Sequence, residues 1–248
     1  MLFRSTVLRE LLGPEGPELD LFHEIGSTNT FLLDREFADA PGAPRLAVAE
    51  RQTAGRGRRG RSWIAEAGRS ACLSLAFEAA RAPSPGLSLA VGCRITKALE
   101  AMTDGLALKW PNDLLLCRPG RPPRKLAGLL PRLRRSGSRL RWARLGVGLN
   151  GCNPVPAGAI ALVDLPELGA GRARWQPPRL AARVLRGLEW AVAQAEKADA
   201  VRQAAEALLW PGPPLELEGQ RWQPVGLAAD GRLRLVRGGQ ERWLERHF

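Results

Sequence analysis

With 248 residues and a 45% hydrophobic fraction, the chain is long enough for one large domain with a real core, or for such a domain plus a small appendage. Its net charge of +12 points to an anionic partner: nucleic acid, acidic lipid, or an acidic substrate or protein. No apolar run approaches the roughly 20 residues a membrane span needs, and no secretory signal opens the chain, so a soluble cytoplasmic protein is predicted.

Lysine occurs only at positions 97, 109, 125 and 197, so arginine supplies 33 of the 37 basic residues. Tyrosine is absent and Ala, Gly and Pro are abundant, a bias that a GC-rich genome produces as readily as selection for charge does. The cysteines, Cys72, Cys93, Cys117 and Cys152, form no C-x-x-C pair and read as free thiols in a reducing compartment, with no metal site.

In chain order, residues 1–18 are broken by Gly13, Pro14, Gly16 and Pro17 and read as about one helical turn and a loop. Residues 19–25 read as a strand, and Gly26 to Thr30 as a turn into a helix over 31–37. Ser27 or Thr28 is the candidate N-cap, a role compatible with ligand binding at a helix N-terminus. Strands are expected at 45–50 and 71–79, and a long buried helix at 87–102. Further strands are expected at 106–109, 125–133 and 139–149, with the Pro-rich Cys117 to Arg124 segment an exposed hairpin-like loop. Residues 151–175 look irregular, and helices are predicted over 179–197 and 199–209. From 213 onward, four short strands separated by Gly219, Asp230-Gly231 and Gly238-Gly239 form a small β unit that must pack on the rest.

Four strings carry chemistry. The first, Gln52 to Trp63, alternates glycine and arginine: Gly55, Arg56, Gly57, Arg58, Arg59, Gly60, Arg61. Glycines allow close backbone approach and an anion nest, and guanidiniums recognise phosphate or carboxylate. By itself the string is more simply a solvated basic loop or a nucleic-acid contact than a ligand site. Lys109-Trp110-Pro111-Asn112-Asp113 ends a strand abruptly, although Asn-Asp alone can be plain turn chemistry. Lys125-Leu126-Ala127-Gly128 opens a buried-looking strand, and Gly146-Val147-Gly148-Leu149-Asn150 closes one.

Together and in this order, with Ser27-Thr28-Asn29 before them, these strings resemble the biotin protein ligases over about residues 20–150. The resemblance implies an α+β fold: a mixed β-sheet with helices, like lipoate ligases and class II aminoacyl-tRNA synthetases, plus a C-terminal SH3-like barrel. Residues 1–211 then form the catalytic domain and 212–248 the SH3-like domain. It implies that biotin and MgATP give biotinyl-5′-AMP, and that biotin then passes to a lysine of a biotin carboxyl carrier protein. Ser27, Thr28, Asn29, Gln52, Arg56, Gly57, Arg58 and Lys125 fall at the family's biotin-binding positions. Gly55, Arg59, Gly60, Arg61, Trp63, Lys109, Asn112 and Asn150 fall where the family handles ATP or the adenylate. Lys125, Arg56 and Arg58 are the candidate catalytic cations, Asp113 the candidate proton acceptor for the incoming lysine, and no side chains are assigned to the Mg²⁺. Some family members carry an N-terminal DNA-binding domain; fewer than 30 residues precede Ser27, so no DNA binding is expected. Edge-to-edge homodimers occur in the family. A lipoate or octanoate ligase of the same fold and a basic nucleic-acid-binding protein are the rival readings.

Overall fold

The computed structural model describes residues 5–14, 17–34, 44–63, 65–66, 69–78, 87–100, 103–136, 139–165, 184–186 and 198–245. Its frame is a mixed seven-stranded sheet in the order β1-β2-β3-β7-β6-β5-β4. The strands are β1 (Glu18–Ile25), β2 (Arg45–Gln52), β3 (Ser70–Glu78), β4 (Leu106–Lys109), β5 (Asp113–Arg118), β6 (Arg121–Ser136) and β7 (Arg139–Asn150). β1 and β2 run parallel, joined through α2 (Thr28–Asp34); the other neighbours are antiparallel.

One face of the sheet packs on α3 (Leu87–Leu99), and α4 (Ala198–Ala207) packs on α3. Leu89, Val91, Ile95 and Leu99 recur at helical spacing, and all are buried in a core shared with Leu46, Leu73, Leu145 and Val147. Gly92 lets α3 lie close to β4: a Cβ there would stand 2.6 Å from Leu108 Cδ2. The C-terminal strands β8 (Leu215–Leu217), β9 (Gln220–Leu227), β10 (Leu233–Arg237) and β11 (Gln240–Leu244) form a four-stranded antiparallel sheet. Its Trp222, Leu227, Leu233 and Leu235 join the same core. Hydrogen bonds also fasten it: Trp110 Nε1 donates to the Gly231 carbonyl (2.8 Å) and the Leu227 N–H donates to Glu206 Oε1 (2.8 Å).

Three expectations change. The N-terminal helix α1 (Ser5–Leu12) has two turns rather than one. Helix α2 starts at Thr28, not Phe31, because Ser27 Oγ caps the Thr30 N–H (3.4 Å) and the Ser27 carbonyl already accepts from the Phe31 N–H (2.9 Å). The Pro-rich segment is an exposed hairpin, as expected, but only its tip is loop. Cys117 and Arg118 end β5, Pro119-Gly120 makes the turn with Gly120 at φ +68°, and Arg121 to Arg124 begin β6. Pro122 and Pro123 are tolerated because the register slips between Leu116 and Arg118, where the ladder asks nothing of a missing N–H. Of the helix expected over 179–197, only 184–186 are described; they are helical, with Val184 and Leu185 buried. Residues 35–37, 79, 101–102 and 166–175, on which other expectations fell, lie outside the described residues. Among the described residues, no helix is long and apolar enough to cross a membrane.

Candidate active site

Sheet register assembles the site. Residues paired across neighbouring strands share a face. Lys109 pairs with Asp113, Asp113 with Gly128, Gly128 with Gly148, and Gly148 with Cys72. Three strings far apart in sequence thus fall in one cross-strand row, charged at the β4 end and stripped to glycine at its centre. The next row carries Ser74, Gly146 and Leu130. Above these rows lies a cavity of about 680 Å³.

The floor is flat for a physical reason. The Trp63 indole rests on Gly128 and Gly148. A methyl on Gly148 would come 2.3 Å from Trp63 Cε2, and one on Gly128 would come 3.2 Å from both Trp63 Cζ3 and Lys125 Nζ. Lys125 Nζ stands 5.7 Å from an indole ring centroid, within cation–π range. The same ammonium donates to Asp113 Oδ1 at 2.7 Å, with the two side chains 34% and 23% exposed. A register shift between Leu114 and Leu115 puts Lys125 opposite Leu115.

The glycine-arginine string is a closed miniature hairpin. Arg56 bridges Ser62, Gly57 N–H donates to the Arg61 carbonyl (2.7 Å), and Trp63 N–H donates to the Gly55 carbonyl (2.8 Å). Its tip is a 3₁₀ turn, Arg58–Gly60, with Gly60 at φ +73°. The Gly57 and Trp63 N–H groups are thus spent within the hairpin. Arg56, Arg58 and Arg61 line the cavity. Arg58 Nη1 donates to Asn112 Oδ1 (3.0 Å), and Asn112 Nδ2 donates to the Leu129 carbonyl (2.8 Å), tying the hairpin to β6.

The opposite end is polar and uncharged. Gln52 Oε1 accepts from the Thr28 N–H (2.8 Å) and from Thr28 Oγ1 (3.0 Å). Since Thr28 spends its hydroxyl proton on Gln52, Ser74 Oγ must donate in the 2.9 Å contact with Thr28 Oγ1. Ser27 and Asn29 complete that end.

Among the sequence-predicted residues, Ser27, Thr28, Asn29, Gln52, Arg56, Gly57, Arg58, Arg61, Trp63, Lys109, Asn112, Asp113, Lys125 and Asn150 all line this one cavity. Gly55 and Gly60 do not. Gly55 is buried where a Cβ would lie 2.5 Å from the Trp63 carbonyl oxygen; Arg59 supplies backbone to the 3₁₀ turn, and Gly60 turns the tip. Asn150 spends its amide on the Lys125 and Ile160 carbonyls (3.3 and 3.2 Å), and so braces the strand that presents Lys125.

Sequence reasoning missed Ser74, Asn153 and Trp210. The alternation of Ser70, Cys72 and Ser74 along β3, small or polar on one face, was the available signal for Ser74. Trp210 has Lys109 Nζ 5.4 Å from its ring centroid and lines the cavity beside Pro211 and Gly212, supplying an aromatic wall that the segment 151–165 lacks. Cys72, at the β3 end of the floor row, stays a neutral thiol: burial pushes it up to about 11 against the opposing pull of Ser70. Among the described residues, no group of three or more His, Cys, Asp or Glu side chains is placed to hold a metal.

A glycine-floored, cation-rimmed cavity on a mixed sheet of this topology defines a ligase of the biotin/lipoate A/B protein ligase family, to which the chain belongs: that family matches residues 21–150. Over 241 residues the chain is 34% identical to the biotin–[acetyl-CoA-carboxylase] ligase of Mycobacterium tuberculosis, covering 90% of this chain and 85% of that protein. It is 36% identical over 150 residues to the bifunctional ligase/repressor BirA of Escherichia coli, covering 57% of this chain but only 43% of that protein. The biotin protein ligase from Aquifex aeolicus, solved in complex with biotin and ATP, shares the fold, with a TM-score of 0.70 at 22% identity over 92% of this chain and 95% of that one.

Proposed function

We propose that the chain is an ATP-dependent biotin protein ligase. It joins biotin and MgATP into biotinyl-5′-AMP and pyrophosphate, then passes the biotinyl group to one lysine of a biotin carboxyl carrier domain. The observation that carries this reading is the charge pattern of the cavity. Arg56, Arg58, Arg61, Lys109 and Lys125 line it, with Asp113 the sole carboxylate among its described residues. The reading is further supported by the similar M. tuberculosis ligase and by the family match.

In the first step a biotin carboxylate oxygen attacks the α-phosphorus, the bond to the β-phosphate oxygen breaks, and pyrophosphate leaves with that electron pair. Two like charges at about 4 Å repel by about 4 kcal/mol at an effective dielectric of 20, so cations must stand between them. Lys125 and Arg56 or Arg58 take that role. The uncharged end at Thr28, Asn29, Gln52 and Ser74 offers hydroxyl and amide groups to the ring end of biotin. With one carboxylate in the wall, already paired with Lys125, a Mg²⁺ ion would be held mainly by phosphate oxygens and water. When bound, it neutralises phosphate charge.

In the second step the carrier lysine nitrogen attacks the acyl carbon and AMP departs. A free lysine has a pKa of about 10.4 and arrives protonated. Asp113, beside Lys125, orients the amine and accepts its proton. The C-terminal domain, drawn at 212–248, packs on the catalytic domain through the shared core and borders the cavity, a reading supported by Pro224 and Leu233 in the cavity wall.

The test is exchange of labelled pyrophosphate into ATP that depends on biotin, followed by the mass gain of one biotinyl group on a carrier domain. Exchange with lipoate or octanoate, and none with biotin, would move the reading to the rival acyl ligase.

A further inference from the structure

Arg144 lies on β7, two residues before Gly146 and on the cavity face of the sheet, paired across strands with Ala76 and Arg132. It is 8% exposed. A buried guanidinium is costly unless its donors are used. Its Nη1 donates at 2.8 Å to the backbone carbonyl of Asn29, 115 residues away in sequence and in the first turn of α2.

Asn29 has an unusual side chain. Its Nδ2 is buried and has no hydrogen-bond partner among the described residues. A methyl added to Gly146 would stand 2.9 Å from that Nδ2 and 3.5 Å from Ser74 Oγ. The amide donor is thus packed against the glycine floor at the polar end of the cavity, which Asn29 lines. A donor buried without a partner is unfavourable, and it makes sense when a ligand supplies the acceptor.

We propose that Arg144 is a positioning residue, which clamps the first turn of α2 from below so that the Asn29 amide donates to an acceptor atom of the acyl substrate. Gly146 supplies the room for it. This rests on the reading of the cavity as an acyl-acid site, and it adds to that site a side chain outside the cavity wall.

The test compares Arg144→Met, which keeps length and removes the donors, with Arg144→Lys, which keeps a donor. In biotin-dependent pyrophosphate exchange, Arg144→Met raises the KM for biotin about ten-fold, the scale of one hydrogen bond to the ligand, while kcat and the KM for ATP stay within about two-fold. Arg144→Lys recovers most of the biotin KM. If Arg144→Met folds poorly, Gly146→Ala leaves Arg144 in place, displaces the Asn29 amide and raises the biotin KM selectively. Equal changes in both KM values, or an unchanged biotin KM in folded Arg144→Met, overturn the proposal. A readout independent of the substrate is the NMR signal of the Asn29 side-chain amide, assigned by its loss in Asn29→Asp. In Arg144→Met it shifts and broadens while those of Asn112 and Asn150 stay put; an unmoved signal overturns the proposal even if wild-type protein shows no exchange with biotin. Absent exchange in the wild type would sink only the biotin reading.

Discussion

Replacing Lys125 by Met tests the central charge argument. Methionine keeps the length of the stem and its contact with Trp63 but removes the ammonium that sits 2.7 Å from Asp113 Oδ1. The pair is about one-third and one-quarter exposed, so an effective dielectric of about 20 applies rather than that of a dry interior. At that value the approach of a carboxylate to the α-phosphate costs about 4 kcal/mol at 4 Å. If Lys125 offsets most of this, its loss slows acyl-adenylate formation by up to about a thousand-fold, at 1.36 kcal/mol per decade. The assay is biotin-dependent pyrophosphate exchange at saturating biotin and ATP. A fall of less than about ten-fold would show that the arginines carry the load and would refute the assignment. Stranding the Asp113 charge is a separate way to lose activity. The double variant Lys125→Met with Asp113→Asn distinguishes the two, because exchange returns there only if the stranded carboxylate was at fault.

Asp113→Asn alone should slow transfer from preformed adenylate to the carrier by about 10²-fold or more, the usual contribution of a positioned base, and an unchanged single-turnover rate would remove that role. Gly148→Ala places a methyl 2.3 Å from Trp63 Cε2, so the indole must move; urea unfolding should show a loss of about 1–3 kcal/mol, and wild-type stability would mean that Trp63 does not rest on the floor. Burial raises Cys72 from 9.0 to about 11. Below pH 9 the thiol is neutral in both states and its contribution is intact. As pH rises from 9 to about 11 the unfolded chain gives up this proton and the folded one keeps it, so stability falls by up to about 1.4 kcal/mol per pH unit. Cys72→Ala should therefore lose stability less steeply between pH 8.5 and 10.5, and parallel slopes in the two proteins would contradict the burial argument.

Much of the site is written in local residue chemistry. The Gly-Arg string, Lys109 to Asp113, Lys125 to Gly128 and Gly146 to Asn150 announce themselves because no packed core requires such residues, and their order marks the family. The strand at 45–50 and the helix from Leu87 were legible from hydrophobic periodicity, which is a short-range property. The hairpin-like character of the Pro-rich segment was legible, but not that strands β5 and β6 run to within two residues of its tip. Proline signals a break locally, yet a register slip lets Pro122 and Pro123 stand at the edge of a long ladder.

What the amino-acid sequence determined by itself was therefore the inventory: which cations, which carboxylate, which glycines, and the family they resemble. Only tertiary structure decided their neighbours. Cross-strand register set Asp113, Gly128 and Gly148 side by side, put Lys125 against Asp113, and laid Trp63 on the glycine floor. It also brought in Ser74, Trp210 and Arg144, whose local contexts look like ordinary strand and linker. The reason is physical: composition and periodicity report on residues a few positions apart, whereas strand pairing is non-local and a shift of one residue turns every side chain to the other face.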